Sequence, residues 1–191
     1  MNASFTLLEE LPYRGKRDYV HGTHLFERLR KLDPDPTHID FLIHRQIYHQ
    51  CEVSSTPVSE RKSDLVATYQ SDGARFHVYE TDRQVTQRVP CLEEEICTQY
   101  KVNDAEIEFS QPPIINATFV ESIVAAYKMI LQNLHSDSKR YLFARLMVRE
   151  VVESGKVQVR HQRQMGPNFF QGELRQEDEL LGSIFFGLKH D

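Results

Sequence analysis

The sequence has no Cys-x-x-Cys pair, no Gly-x-Ser-x-Gly elbow, no glycine-rich phosphate loop and no apolar run near the roughly 20 residues that span a bilayer. Each absence removes a class. The three cysteines, Cys51, Cys91 and Cys97, are odd in number and unpaired in spacing, which argues against both a disulfide framework and a thiolate metal knuckle. A reducing, cytoplasmic setting is therefore expected. The segment from Met1 to Leu11 carries Glu9 and Glu10 and lacks a basic start, so it is not expected to be a signal peptide. Basic charge is in short supply as well: the net charge is -5 and the pI is near 6.0, so nucleic acid is not an expected partner.

What is present is ordinary globular material. Hydrophobic residues make up 40% and charged residues 27% of 191 residues, enough for one large domain or two small units. Leu25, Phe26, Leu29 and Leu32 recur at helical spacing and predict an amphipathic helix over Thr23 to Leu32, ended by Asp33-Pro34-Asp35-Pro36. From Ile39 to Val53, Phe41, Ile43, Ile47, Cys51 and Val53 alternate with polar residues such as His44, Gln46, Gln50 and Glu52, the pattern of one long half-buried strand. Leu65 to Gln70 and Arg75 to Glu80 flank Ser71-Asp72-Gly73, a hairpin signal in which Gly73 is expected to supply positive φ. Strands are also predicted over Glu95 to Val102 and Ala105 to Phe109.

The order then starts again. Thr118 to Leu134 is a second helix, and Arg140 to Val152, Lys156 to Gln164, Asn168 to Arg175 and Leu180 to Leu188 follow as strands. His21-Gly22-Thr23 sets against Asn116-Ala117-Thr118, Phe41 against Tyr141, and Ala74 against Asn168, at nearly constant spacing. We expect an α+β protein of two diverged units, 1–103 and 104–191, each a helix followed by an antiparallel meander. In the second helix Phe119, Val120, Ile123, Val124, Ala125, Ala126, Met129, Ile130, Leu131 and Leu134 cover nearly the whole circumference, so a curved sheet should enclose it.

That arrangement, with Pro113-Ile114-Ile115-Asn116-Ala117-Thr118-Phe119-Val120-Glu121-Ser122, resembles the hotdog superfamily of acyl-thioester enzymes, and in particular the 3-hydroxyacyl-carrier-protein dehydratases. Those enzymes carry a proline-rich approach, a proline-glycine pair and an apolar helix whose early Glu is catalytic; here Asn116-Ala117 stands in place of the pair. The strand series from Phe143 through Arg149, Gly155 and Gly172 to Gly182 is similar too. The resemblance implies a tandem double hotdog with an acyl tunnel between its units, a coenzyme A or acyl-carrier-protein thioester as substrate, and dehydration or hydrolysis as the reaction.

Glu121 is the one acid on an apolar helix, where burial would suit it to general acid work. Thr118-Phe119-Val120-Glu121 is equally a capping box, which gives the carboxylate a purely structural use. His21 lies just before the first helix, and the resemblance would let it face Glu121 from the other unit as the catalytic base; a surface or capping histidine is the plain alternative. His24 is a further candidate. Gly22, Thr23, Asn116 and Thr118 stand at helix starts, whose amides suit a carbonyl oxygen. Arg14 and Arg17, in Arg14-Gly15-Lys16-Arg17, could meet coenzyme A phosphates or an acidic carrier, or be a solvated loop. Arg160, His161 and Arg163 form a second ambiguous basic patch. Nine histidines invite a metal, but neither His21 with His24 nor His44 with His49 has ligand spacing, so no metal and no cofactor is expected. Homo-oligomerisation stays open. The rival to an enzyme is a noncatalytic acyl-binding or assembly protein, since the second unit lacks the upstream histidine of the dehydratases.

Overall fold

A computed structural model describes residues 4–113, 116–135 and 140–189. The chain divides into two compact units, Met1–Cys91 and Leu92–Asp191. The first contains β1 (Thr6–Leu7), β2 (Tyr13–Arg14), α1 (Gly22–Leu32), β3 (Ile39–Ile43), β4 (His49–Ser54), a 3-10 turn (Ser59–Asp64), β5 (Leu65–Gln70), β6 (Arg75–Gln84) and β7 (Arg88–Val89). Its antiparallel strands run in the order β1-β4-β6-β5-β3, and β2 pairs with β7 in a separate parallel ribbon. Phe26 of α1 meets Phe41 of β3 and Tyr69 of β5 at ring separations of 5.6 and 6.2 Å, which seats the apolar stripe of the helix on the sheet. Where α1 ends, the buried Asp33 carboxylate accepts hydrogen bonds from Tyr69 Oη (2.7 Å) and the Asp35 amide (3.0 Å).

The expected long strand over Ile39 to Val53 is two strands, β3 and β4. They occupy separated positions in the sheet, so the chain leaves one and crosses to the other between them. In that crossing the Ile47 carbonyl accepts from the Val20 amide (2.8 Å) and the Tyr48 amide donates to the Glu80 side chain of β6, so these backbone groups are satisfied outside any strand ladder. Alternation survives the break because Phe41, Ile47, Cys51 and Val53 are all buried. Gln50 is buried too, against its expected outward position: its side-chain amide accepts from Leu11 N (2.8 Å) and donates to Leu11 O (3.3 Å), imitating a strand partner.

The hairpin at Ser71 to Ala74 forms as expected, but for a different reason. Gly73 does not take the left-handed backbone; a Cβ there would lie 2.5 Å from Asp33 Oδ1 and 2.6 Å from the Asp35 amide nitrogen. Close approach to the end of α1, and not positive φ, demands glycine.

The second unit contains α2 (Glu93–Cys97), β8 (Glu106–Gln111), α3 (Phe119–His135), β9 (Tyr141–Val148), β10 (Gly155–Met165), β11 (Phe169–Gln176) and β12 (Glu179–Leu188). The strand expected over Glu95 to Val102 is the short helix α2 and a turn. Glu93, Glu94 and Glu95 occupy its first turn, where carboxylates favour the positive helix start, and Glu93 pairs with Lys128 of α3. Strand order is β8-β10-β11-β12-β9, antiparallel throughout. Numbered along its own antiparallel strands, the second unit runs first-third-fourth-fifth-second and the first runs first-third-fifth-fourth-second.

Eleven of the 17 residues of α3 are buried, which makes it the helix on which the second core is built. It packs on β8, β9 and β10, and the ring of Tyr127 reaches Phe186 of β12 and the bare backbone of Gly172 in β11. No helix among the described residues is long and apolar enough to cross a membrane. None of the three cysteines is in a disulfide, and burial pushes the Cys51 thiol up to about 12.

Two outcomes follow from this packing. Replacing Ile123, fully buried in α3, by Ala should lower the unfolding free energy by about 2–5 kcal/mol in urea titration. A thiol reagent at neutral pH should label Cys91 and Cys97 in the folded protein and Cys51 only after denaturation; protection of any two of the three by an intramolecular disulfide would contradict the structure.

Candidate functional site

The start of α3 is built by its own sequence. The Thr118 amide donates to Glu121 Oε2 (2.8 Å), and the Glu121 amide donates to Thr118 Oγ1 (3.2 Å), a complete capping box. The helix proper opens when the Ser122 amide bonds the Thr118 carbonyl (3.0 Å). Glu121 is buried at 6% exposure although ionisable, and Ser122 beside it is fully buried. Asn116 is exposed on the approach, while Ile114 and Ile115 of the proline-rich motif lie outside the described residues. The Tyr100 ring stacks on Phe109 of β8 at 4.9 Å, and burial raises its phenol while the facing Ser122 hydroxyl pulls the other way. Neither hydroxyl completes a hydrogen bond of ordinary geometry.

The start of α1 is organised differently. His21 caps the helix with its backbone, its carbonyl accepting from the His24 amide (3.0 Å), while its ring Nδ1 shares a 2.8 Å hydrogen bond with Thr23 Oγ1. Thr23 is buried, and Gly22 is the first helical residue. Arg14 Nε donates to His24 Nδ1 at 2.7 Å, tying the basic turn to the first turn of the helix. Arg14, Arg17, His21, Gly22, Thr23 and His24 therefore belong to one neighbourhood.

That basic stretch is not a solvated loop. Gly15 takes φ +54 and its amide donates to the Val89 carbonyl (2.9 Å), and Arg88 lies over the Tyr13 ring and donates to the carbonyls of Gly15 and Arg17. Arg17 Nη1 meets Cys91 Sγ at 2.8 Å. Only Lys16 of the four is strongly exposed. Sequence reading could not see this, because the partners Arg88 and Cys91 come from the far end of the unit.

The second basic patch splits. Arg160 and Arg163 are exposed, and Arg163 donates to Gln171. His161 turns inward on the side of Val157 and Val159, where its Nδ1 lies 3.0 Å from Tyr127 Oη. The period-two alternation of β10 carried that signal.

An open cleft of about 780 Å³ in the first unit is lined by Arg45, His49, Arg61, Glu80 and Arg83 among others. Glu80 accepts from the Tyr48 and His49 amides and from Arg45; although burial opposes ionisation, these donors hold its carboxyl below the ordinary range. Arg61 is engaged by Glu52 and Asp64. Leu7 is the one aliphatic side chain in the lining, so the cleft offers little to an acyl chain. Among the described residues no group of three or more His, Cys, Asp or Glu is arranged to hold a metal ion.

These geometries can be set beside known proteins. No family model matches the chain, and no curated protein matches it. Among solved structures it is similar over its whole length to a protein provisionally named thioesterase II from Thermobifida fusca, with TM-score 0.50, 11% identity and 94% of that chain covered. The chain has the hotdog fold. Similarity also extends to the tesB protein of Mycobacterium avium subs paratuberculosis (TM-score 0.48, 10% identity, 97% and 93% of the two chains). It extends likewise to a provisionally named oleoyl thioesterase from Lactobacillus plantarum (0.46, 12%, 100% and 98%). Within that fold α3 is the helix that packs on β8, β9 and β10, and Glu121 lies in its first turn.

If the capping box is a structural element in its own right, Thr118→Ala should lower stability by about 0.5–2 kcal/mol, read from the shift of the thermal or urea midpoint. A shift in that range would identify the hydroxyl as the cap.

Proposed function

We propose that the chain is a tandem double hotdog, with units close to 1–103 and 104–191, that processes an acyl thioester. The observation that carries this is a buried carboxylate, Glu121, at the start of an apolar helix in a hotdog fold. Hydrolysis is favoured over dehydration because the structures it resembles are named as thioesterases. In this reading Glu121 and His21 are the two proton-transfer groups. Glu121 orients and deprotonates the attacking water, or protonates a departing hydroxyl in the dehydratase variant, in which His21 takes the α-proton. A helix-start amide at Gly22-Thr23 or Asn116-Thr118 holds the thioester carbonyl as charge develops on it. Arg14 and Arg17 meet the phosphates of coenzyme A or the acidic surface of a carrier protein. A cytoplasmic setting suits both donors, and a homo-oligomer is compatible with the scheme.

A second reading has its own observation. Both Thr118 and Glu121 are already engaged with each other, as a purely structural cap requires, and this favours a noncatalytic acyl-binding or assembly protein that keeps the fold.

Glu121→Gln retains an oxygen for the Thr118 amide and removes the ionisable group. Assayed on saturated acyl and 3-hydroxyacyl thioesters, it should lose about 10²–10⁴-fold in rate with an unchanged unfolding midpoint, and His21→Gln should lose a comparable factor. Unchanged turnover in both variants would defeat the catalytic assignment. A wild-type protein that binds acyl chains and turns over neither class would establish the second reading.

A further inference from the structure

The mid-part of α3 carries a second polar arrangement, remote from Glu121 by about 9 Å of helix rise over six residues. Tyr127 is fully buried there, and burial raises its phenol, so it remains a hydroxyl that must donate. Its partner is His161 Nδ1 at 3.0 Å, with the two rings nearly parallel at 18°. The backbone is shaped to allow this contact. His161 stands where β10 slips register against β11, and it pairs there with Gly172. A Cβ on Gly172 would lie 2.7 and 2.9 Å from two carbons of the Tyr127 ring, so only glycine leaves room for the ring over β11. The edge of Tyr127 meets Phe186 of β12 at 5.4 Å. One hydrogen bond thus joins the helix to the strand at the point where a bulge and a missing side chain accommodate it.

Donation by Tyr127 requires that Nδ1 carry no proton, which makes His161 neutral with its proton on Nε2. Among the described residues the groups facing it are few. From α3 come Tyr127 and His135; from β11 comes Gly172; on its other edge its amide donates to the Ala105 carbonyl (2.8 Å), and its β10 neighbours Arg160 and Arg163 are exposed. His135 closes the helix with its ring edge-on to Phe170 at 5.1 Å, and its buried Nε2 has no hydrogen-bond partner. No carboxylate is among these groups to compensate a second proton on His161.

We propose that the Tyr127–His161 pair is a proton-operated latch: neutral His161 holds the second half of α3 to β10 and β11, and protonation at Nδ1 releases it. Protonation turns the acceptor into a donor, leaves the Tyr127 hydroxyl without its acceptor in the core, and places a cation beside His135. Burial, first, and the neighbouring His135, second, already hold the His161 pKa below its ordinary value. The sign follows by linkage. A histidine whose folded pKa is depressed takes protons more readily when unfolded, so its contribution is present above the ordinary value near 6.5 and is lost as pH falls from there through the lowered folded value. His44 and His77 are depressed by burial too, so global stability alone cannot isolate the latch.

The test is local. Amide hydrogen exchange, corrected for the intrinsic pH dependence, should show protection of Tyr127 to His135 falling on the order of tenfold between pH 7.5 and 5 in the wild type. His161→Gln keeps an oxygen acceptor for Tyr127 and cannot titrate, so that stretch should keep its protection while β5 and β6 behave as in the wild type. Tyr127→Phe should raise the His161 pKa, followed by imidazole NMR, because the donor that reserved Nδ1 is gone. Equal acid loss in wild type and His161→Gln would overturn the latch. Should the variant not fold, titration of wild-type His161 at or above about 6.5 overturns it equally.

Discussion

The second core depends on one constraint: an α-helix that is apolar on nearly every side has to be removed from water on nearly every side. For α3 no single flat surface achieves this, and the five strands from β8 to β12 supply the inner face on which Val120, Ile123, Val124, Tyr127, Ile130 and Leu131 are buried. Strand residues that meet it are the alternate ones, such as Ile107 and Phe109 of β8 and Val157 and Val159 of β10. The glycine at 172 and the register slip at His161 are local adjustments that let the largest ring of the helix fit. Because α3 is held so firmly, its first turn is a rigid place from which to present a carboxylate.

Burial of that extent makes every polar group near it consequential. An unpaired buried donor or acceptor costs about 1–3 kcal/mol, so the chain spends side chains on satisfying backbone and backbone on satisfying side chains. Glu121 and Thr118 close on each other; Gln50 pairs with both polar atoms of Leu11; Asp33 gathers Tyr69 and the Asp35 amide at the end of α1. The same economy explains the basic turn, where Arg88 is held by two carbonyls and an aromatic face. Capping by Glu121 does not contradict the acid–base role proposed for it, since holding a carboxylate in one rotamer is what a reacting group needs.

Two departures from the expected pattern have a common cause. The break between β3 and β4 and the helical turn of α2 both fall where alternation of apolar residues suggests a strand, and alternation reports burial on one side without reporting which strand lies alongside. In β3 and β4 the neighbours are β5 and β6, at different places in the sheet. In α2 a single buried residue, Ile96, and three consecutive glutamates are satisfied by one helical turn. The order of the inner strands within each unit is likewise invisible to periodicity, because strands with the same alternation can trade places without moving any side chain to the wrong face.

The sequence by itself determined which segments bury a face: the stripe of α1, the all-round apolarity of α3, the four strands of the second meander, and the Thr118 to Glu121 cap, all of which rest on contacts within a few residues of chain. Tertiary structure alone decided the pairing order of the strands, the reason for glycine at 73, the anchoring of Arg17 at Cys91, and the turning of His161 onto Tyr127. The division has a physical origin. Periodicity and capping are encoded in neighbours along the chain, whereas a hydrogen bond or a close approach between residues 34 or 74 positions apart exists only once the core has brought them together.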